Sequence, residues 1–136
     1  MVRFRMFKIN VDQFAILANS PVANVNISSN MSLDFSKENR NVRVSMGFNF
    51  LDGEQSLVIL KMNCEFNVHE DDWNGFINGD SIIIPKSFID YLIVQTVGTA
   101  RGILHCKTEG SPFNYLILPP MNVSNMVEKD IVIPVN

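Results

Sequence analysis

The sequence predicts an α+β fold: consecutive antiparallel strands packed by one long helix. Three observations lead there. Polar and apolar residues alternate at period two between Asn24 and Val68, the apolar spacing changes to three and four residues beyond Pro85, and 136 residues is the length of one ordinary domain. Residues 1–136 are therefore read as a single domain with one core.

The opening stretch, Phe4 to Leu17, is extended in character but apolar on both faces, with Phe7, Ile9 and Val11 on one side and Phe14 and Ile16 on the other. It is expected to enter the sheet and cross an interface. From Asn24 to Phe35 the odd positions are Val25, Ile27, Ser29, Met31, Leu33 and Phe35, and the even ones are polar, which describes a half-buried strand. Turn material from Ser36 to Asn41 leads into Val42, Val44, Met46, Phe48 and Phe50, again with polar or small residues between them. Asp52-Gly53 marks a tight hairpin turn, after which Val58, Leu60, Met62, Cys64, Phe66 and Val68 share one face. These three strands form an antiparallel meander with one apolar face.

Pro85 stands where a first helical turn tolerates it, and Ile89, Leu92, Ile93, Thr96, Val97, Ala100 and Leu104 follow on one stripe. The spacing predicts a helix from Pro85 to Lys107. Burial of each large aliphatic contributes about 1.5 to 3 kcal/mol, so this stripe against the sheet is the main source of stability. Gly98 and Gly102, one turn apart, each cost about 1 kcal/mol relative to alanine. They indicate either close backbone approach, by the sheet or by a helix of another subunit, or a weak last turn. Gly110 closes the helical region, and Asn122 is placed as the N-cap of a short final helix, Val123 to Lys129.

Composition narrows the function. Hydrophobic residues make up 46% and charged residues 18%, against about 25% charged in typical soluble domains, so part of the surface is expected to face another subunit. A net charge of -3 without a basic stripe argues against nucleic acid. Cys64 and Cys106 are too few for a disulfide framework and are read as reduced thiols. The start has charges but no apolar run of a signal peptide, and no stretch approaches membrane-spanning length, so the expected location is cytoplasmic. Asn26-Ile27-Ser28 and Asn122-Val123-Ser124 match the glycosylation pattern by chance on that reading.

Catalytic signatures are missing. His69-Glu70-Asp71-Asp72 is the densest polar cluster, but consecutive residues at a strand end point in different directions, and a solvated loop is the favoured reading over a metal site. His105 and Cys106 adjoin on a helix and point about 100° apart, so they are not a dyad. Neither a phosphate loop nor a nucleophile elbow is present. No enzyme, cofactor or metal site is expected.

Two apolar loops remain. Trp73, Phe76 and Ile77 lie between the last strand and the helix, and Phe113, Tyr115, Leu116, Ile117, Leu118 and Met121 lie after it. Either both loops fold over the open end of the sheet and complete the core, or they border a groove that accepts apolar segments of other chains.

The order of elements and several motifs resemble the SecB family of secretion chaperones over nearly the whole chain. Phe7-Lys8-Ile9, the Gly53-Glu54 turn, the helix begun by Pro85, Gly110-Ser111-Pro112-Phe113 and Leu118-x-Pro120-x-Asn122 carry the likeness, and Thr99-x-Arg101-Gly102-Ile103-Leu104 is similar to a divergent branch. The resemblance implies a four-stranded antiparallel sheet with two helices, assembled as a homotetramer made from two dimers. It further implies an ATP-independent holdase for unfolded or precursor polypeptides, feeding protein export through the SecA motor in many members. Members that dock SecA present carboxylates on the first strand and after the hairpin; the matching positions here, Gln13, Leu17 and Lys61, are not acidic, with Asp12 and Glu65 nearby. Pro134 shortens the final helix. The expected peptide-binding residues are Trp73, Phe76, Phe113, Tyr115, Leu118 and Met121, with aromatics giving area and methionine adaptability. A dedicated partner chaperone for one client, such as an antitoxin or a mobile-element protein, is the alternative; a ligand site at His69 and its acidic neighbours is a third.

Overall fold

The computed structural model describes residues 1–136. Four long strands, β1 (Phe4–Ile16), β2 (Asn26–Ser36), β3 (Asn41–Asp52) and β4 (Gln55–Val68), form one antiparallel sheet in the order β1-β4-β3-β2. The meander is thus β2-β3-β4. β1 adds beside β4, so residues 17–25 cross the sheet to reach its far edge. The β3–β4 hairpin turns at Gly53-Glu54, where Gly53 takes a φ of 60° that suits a residue without a Cβ.

The chain then forms α1 (Glu70–Gly75), a short hairpin of β5 (Ile77–Asn78) and β6 (Ser81–Ile84), and the long helix α2 (Lys86–Lys107). The expected final helix is reduced to a single 3-10 turn, Val123–Asn125, where the Asn122 side chain accepts from the amide of Ser124 as an N-cap should. Beyond it, β7 (Ile131–Pro134) pairs with β6 and completes a second, three-stranded sheet in the order β5-β6-β7. β-branched Ile131-Val132-Ile133 suits a pleated strand better than a helix, and Pro134 ends it at the sheet edge.

α2 lies across β3 and β4. Its buried stripe, Phe88, Ile89, Leu92, Ile93, Thr96, Val97, Ala100 and Leu104, meets the alternate buried residues from Val42 to Phe50 and from Val58 to Val68. The opposite face of the sheet is polar: Asn10 donates to Asn63 at 2.8 Å, Asn63 donates to Asp12 at 2.9 Å, and Glu65 stands 3.9 Å from Lys8 and 3.7 Å from Arg43.

Two features differ from the expected pattern. β1 is not apolar on both faces. Its pairing with β4 shifts register between Met6 and Lys8 and again between Val11 and Gln13, so that Phe4, Met6, Ile9, Val11, Phe14 and Ile16 all stand opposite the core-facing Val68, Phe66, Cys64, Met62, Leu60 and Val58. Two extra residues restore the parity that a regular strand would lose. The second difference concerns Gly98 and Gly102. Both are exposed in mid-helix, and a Cβ on either would meet nothing within 4 Å, so neither a frayed turn nor approach by the protomer's own sheet accounts for them.

Candidate functional site

One helix cannot cover this sheet. Four strands spaced about 4.8 Å apart span roughly 19 Å, whereas a helix with its side chains is about 10 to 12 Å wide. With α2 centred on β3 and β4, the apolar strips of β1 and β2 extend past it on either side.

On the β2 side the strip is walled by the C-terminal segment. A groove of about 690 Å³ runs between Met31, Ser32 and Leu33 and residues 126–132, with Met31, Leu33, Met126, Val127, Ile131 and Val132 as its apolar lining and Glu128, Lys129 and Asp130 among its polar residues. Two side chains hold that wall in place. The Asp130 carboxylate accepts from the amide of Lys86 at 2.8 Å, and Lys37 donates to the carbonyl of Pro134 at 2.9 Å. Sequence reasoning places Met31 and Leu33 on the apolar face of a strand but gives no sign that they lack cover. The available signal is the width mismatch between one helix and four strands.

A second hollow of about 460 Å³ lies between α2 and the loop that follows it, bordered by Val94, Arg101, Ile117, Leu118, Pro120 and Met121. Arg101 fixes the loop by donating to the carbonyls of Leu118 at 2.6 Å and Pro119 at 3.1 Å. Nearby, the Tyr115 hydroxyl donates to the carbonyl of Val22 at 2.9 Å and accepts from its amide at 3.2 Å, tying the crossing segment to the loop.

The six expected peptide-binding residues separate into two sets. Trp73, Phe76, Phe113 and Leu118 are buried within the chain itself, Phe113 and Leu118 at 0% and 1% exposure, and the expectation that they are displayed is corrected. Trp73 and Phe76 pack edge-on with ring centroids 6.0 Å apart, and Phe76 reaches Phe88 of α2 at 6.1 Å. Short apolar connectors next to an incompletely covered sheet fill its ends, because burial of each ring outweighs the ordering of a few loop residues. Tyr115, 48% exposed, and Met121, partly exposed, remain at the surface.

The polar cluster is the first turn of α1, not a solvated loop. His69 caps it, with Nδ1 accepting from the amide of Asp71, and Asp72 accepts from the amide of Arg3 at 2.8 Å and its Nε at 2.9 Å. The Arg3 backbone amide, reinforced by its guanidinium, holds the Asp72 carboxyl below the ordinary 3.8. No group of three or more His, Cys, Asp and Glu is positioned to hold a metal ion. Cys64 is buried, and that burial pushes its thiol up from the ordinary value, while Cys106 is exposed.

An α+β chain with a four-stranded antiparallel sheet, one long helix and one short helix has the SecB-like fold. No protein-family model and no curated protein matches the chain. Among solved structures it is similar to the Mycobacterium tuberculosis Rv1957 SecB-like chaperone in complex with a ChAD peptide from the Rv1956 HigA1 antitoxin, with a TM-score of 0.55 and 12% identity over 88% of this chain and 91% of that one. The likeness is one of fold. No helix of the chain is long and apolar enough to cross a membrane.

Proposed function

We propose that the chain is a holdase chaperone that binds non-native polypeptide, without ATP, in the groove between β2 and residues 126–132. The observation that carries this reading is the groove itself: a wide trough, lined by methionine and aliphatic side chains, that the protomer's own helix is too narrow to close. Tyr115 and Met121 extend the contact surface toward the loop after α2. The fold shared with a chaperone whose solved complex contains an antitoxin peptide supports a polypeptide occupant.

Suppression of aggregation of a chemically denatured client tests the reading directly. Met31→Lys and Val132→Lys place charges on the groove wall; Val132 is 61% exposed, so its change leaves the core intact. Both variants are expected to keep the native circular dichroism spectrum and lose holding capacity. A wild-type protein that leaves aggregation unchanged at equal molarity rejects the proposal.

The same antitoxin complex favours a second reading, that of a partner chaperone dedicated to one client. Client breadth separates the two: comparable affinity for several unfolded proteins supports a general holdase, and one tight ligand supports the dedicated partner. Transfer to SecA is the less favoured route. Gln13 and Lys61 pair across β1 and β4 without a carboxylate, while Asp12 is bonded to Asn63, and Glu65 lies between Lys8 and Arg43. The proposal includes a cytoplasmic location and self-assembly, as a tetramer of two dimers, through the uncovered β1 strip and the outer face of α2.

A further inference from the structure

The two edges of the main sheet are built differently. β1 carries Arg5, Lys8 and Asp12 and two register shifts, devices that discourage further pairing. β2 has no register shift and fewer charges. Its register with β3 runs unbroken from Asn26 to Ser36, it contains no lysine, arginine or proline, and its one charge is Asp34. No backbone hydrogen bond outside its ladder with β3 involves any residue from 26 to 36. An unbroken edge of that length presents a row of unpaired amides and carbonyls, which a soluble protein normally blunts or covers.

That edge faces the groove. Three consecutive residues, Met31, Ser32 and Leu33, border it, which places backbone as well as side chains along the trough. Resting on the proposed chaperone reading, we infer that an extended segment of non-native polypeptide adds to β2 as a fifth strand, its backbone paired with the free edge and its alternate side chains directed into the groove. An added strand sits about 4.8 Å from β2 and needs no more than one strand's width. Residues 126–132 stand across the trough from Met31–Leu33, and a single added strand is the smallest occupant that pairs with the edge.

Pairing also sets the class of segment recognised. Side chains on one face of the added strand join Met31 and Leu33 over the apolar lining, and those on the other face join Asn30 and Ser32 on the polar side of the sheet. The preferred occupant is a stretch that alternates apolar and polar residues, the pattern of an unfolded protein's own strands.

The probe is a peptide as long as β2 that alternates valine with serine between terminal lysines, in three forms: unmodified, and N-methylated at every second residue in either of the two phases. Methylation in one phase removes the donors aimed at β2; in the other it removes donors aimed away. Under strand addition, methylation in one phase only is expected to weaken binding about thirtyfold or more, as loss of four or five net hydrogen bonds of about 0.5 to 1.5 kcal/mol implies. Hydrogen exchange of the full-length protein is expected to show alternate β2 amides unprotected when free and protected with the unmodified peptide. If both methylated peptides bind as the unmodified one does, strand addition is overturned while the apolar groove stands. If no form binds and clients also aggregate freely, the chaperone reading fails and takes this inference with it. Protection of the same amides in the peptide-free protein would show that another copy occupies the edge, and overturns the assignment.

Discussion

Pro85 begins α2 without a side chain able to cap it, and the acceptor for the next amide comes from Asp130, 44 residues further along the chain. One carboxylate therefore joins the start of the long helix to the wall of the groove. Asp130→Ala is expected to cost about 1 kcal/mol, the usual loss for an N-cap, with the wall loosened at the same time; urea unfolding against wild type measures the first and client holding the second. Asp72 makes a comparable tie between Arg3, the residue before β1, and α1. Because its folded pKa lies below the ordinary 3.8, its contribution is complete at neutral pH and is lost as the pH falls through the lowered value. Asp72→Asn should reduce stability near pH 7 and make no difference in strong acid, a contrast that denaturation at the two pH values reveals. The cysteines give a third check. Cys106 is exposed, whereas Cys64 is buried with a raised pKa, so alkylation of the native protein should stop at one modification and reach two only in denaturant, read by intact mass.

At the scale of elements, the parts legible in the sequence are those where a single period holds: β2, β3 as far as Phe50 and β4 from Leu60 onward alternate, and α2 runs from Lys86 to Lys107 as its apolar spacing requires. What resisted reading depends on partners distant in sequence. The residues that absorb the register shifts of β1 become visible only against β4, and the strand character of Ile131–Pro134 only against β6. Apolar loop residues likewise do not declare whether they are shown or hidden: Phe113 and Tyr115 are two apart and stacked, yet one is fully buried and the other half exposed. The β1 reading has a sharp consequence. Phe7→Ala keeps the extra backbone residue and is expected to be mild, since Phe7 is 43% exposed. Deletion of Phe7 removes the shift and forces either Phe4 and Met6 or Ile9 and Val11 onto the polar face. Misplacing two large apolar side chains, each contributing about 1.5 to 3 kcal/mol when buried, makes the deletion far more damaging than the substitution, as thermal unfolding of the pair would show.

For the whole molecule, the mismatch between one helix and four strands leaves two strips, and the two are finished differently. The β2 strip is walled by the C-terminal segment and open at its backbone edge. The β1 strip has no wall: Ile9 and Val11 are exposed, and beside them the outward side of α2 presents Ser87, Tyr91, Val94, Gly98 and Gly102 with no charge among them. An uncharged helix face that includes two glycines with open space above them is costly in isolation and suits another helix brought close. Self-assembly through this face would keep the groove of β2 free, which is the division of labour the proposed function requires. Gly98→Leu separates the possibilities because its effects have opposite signs. On a bare helix the substitution raises helix propensity by about 0.8 to 1 kcal/mol and stabilises the chain without changing its mass in solution. Under a closely packed second helix it intrudes into the contact, and light scattering should report a smaller assembly with unchanged secondary structure. The expected result is the smaller assembly; a more stable protein of unaltered mass would remove α2 from the interface.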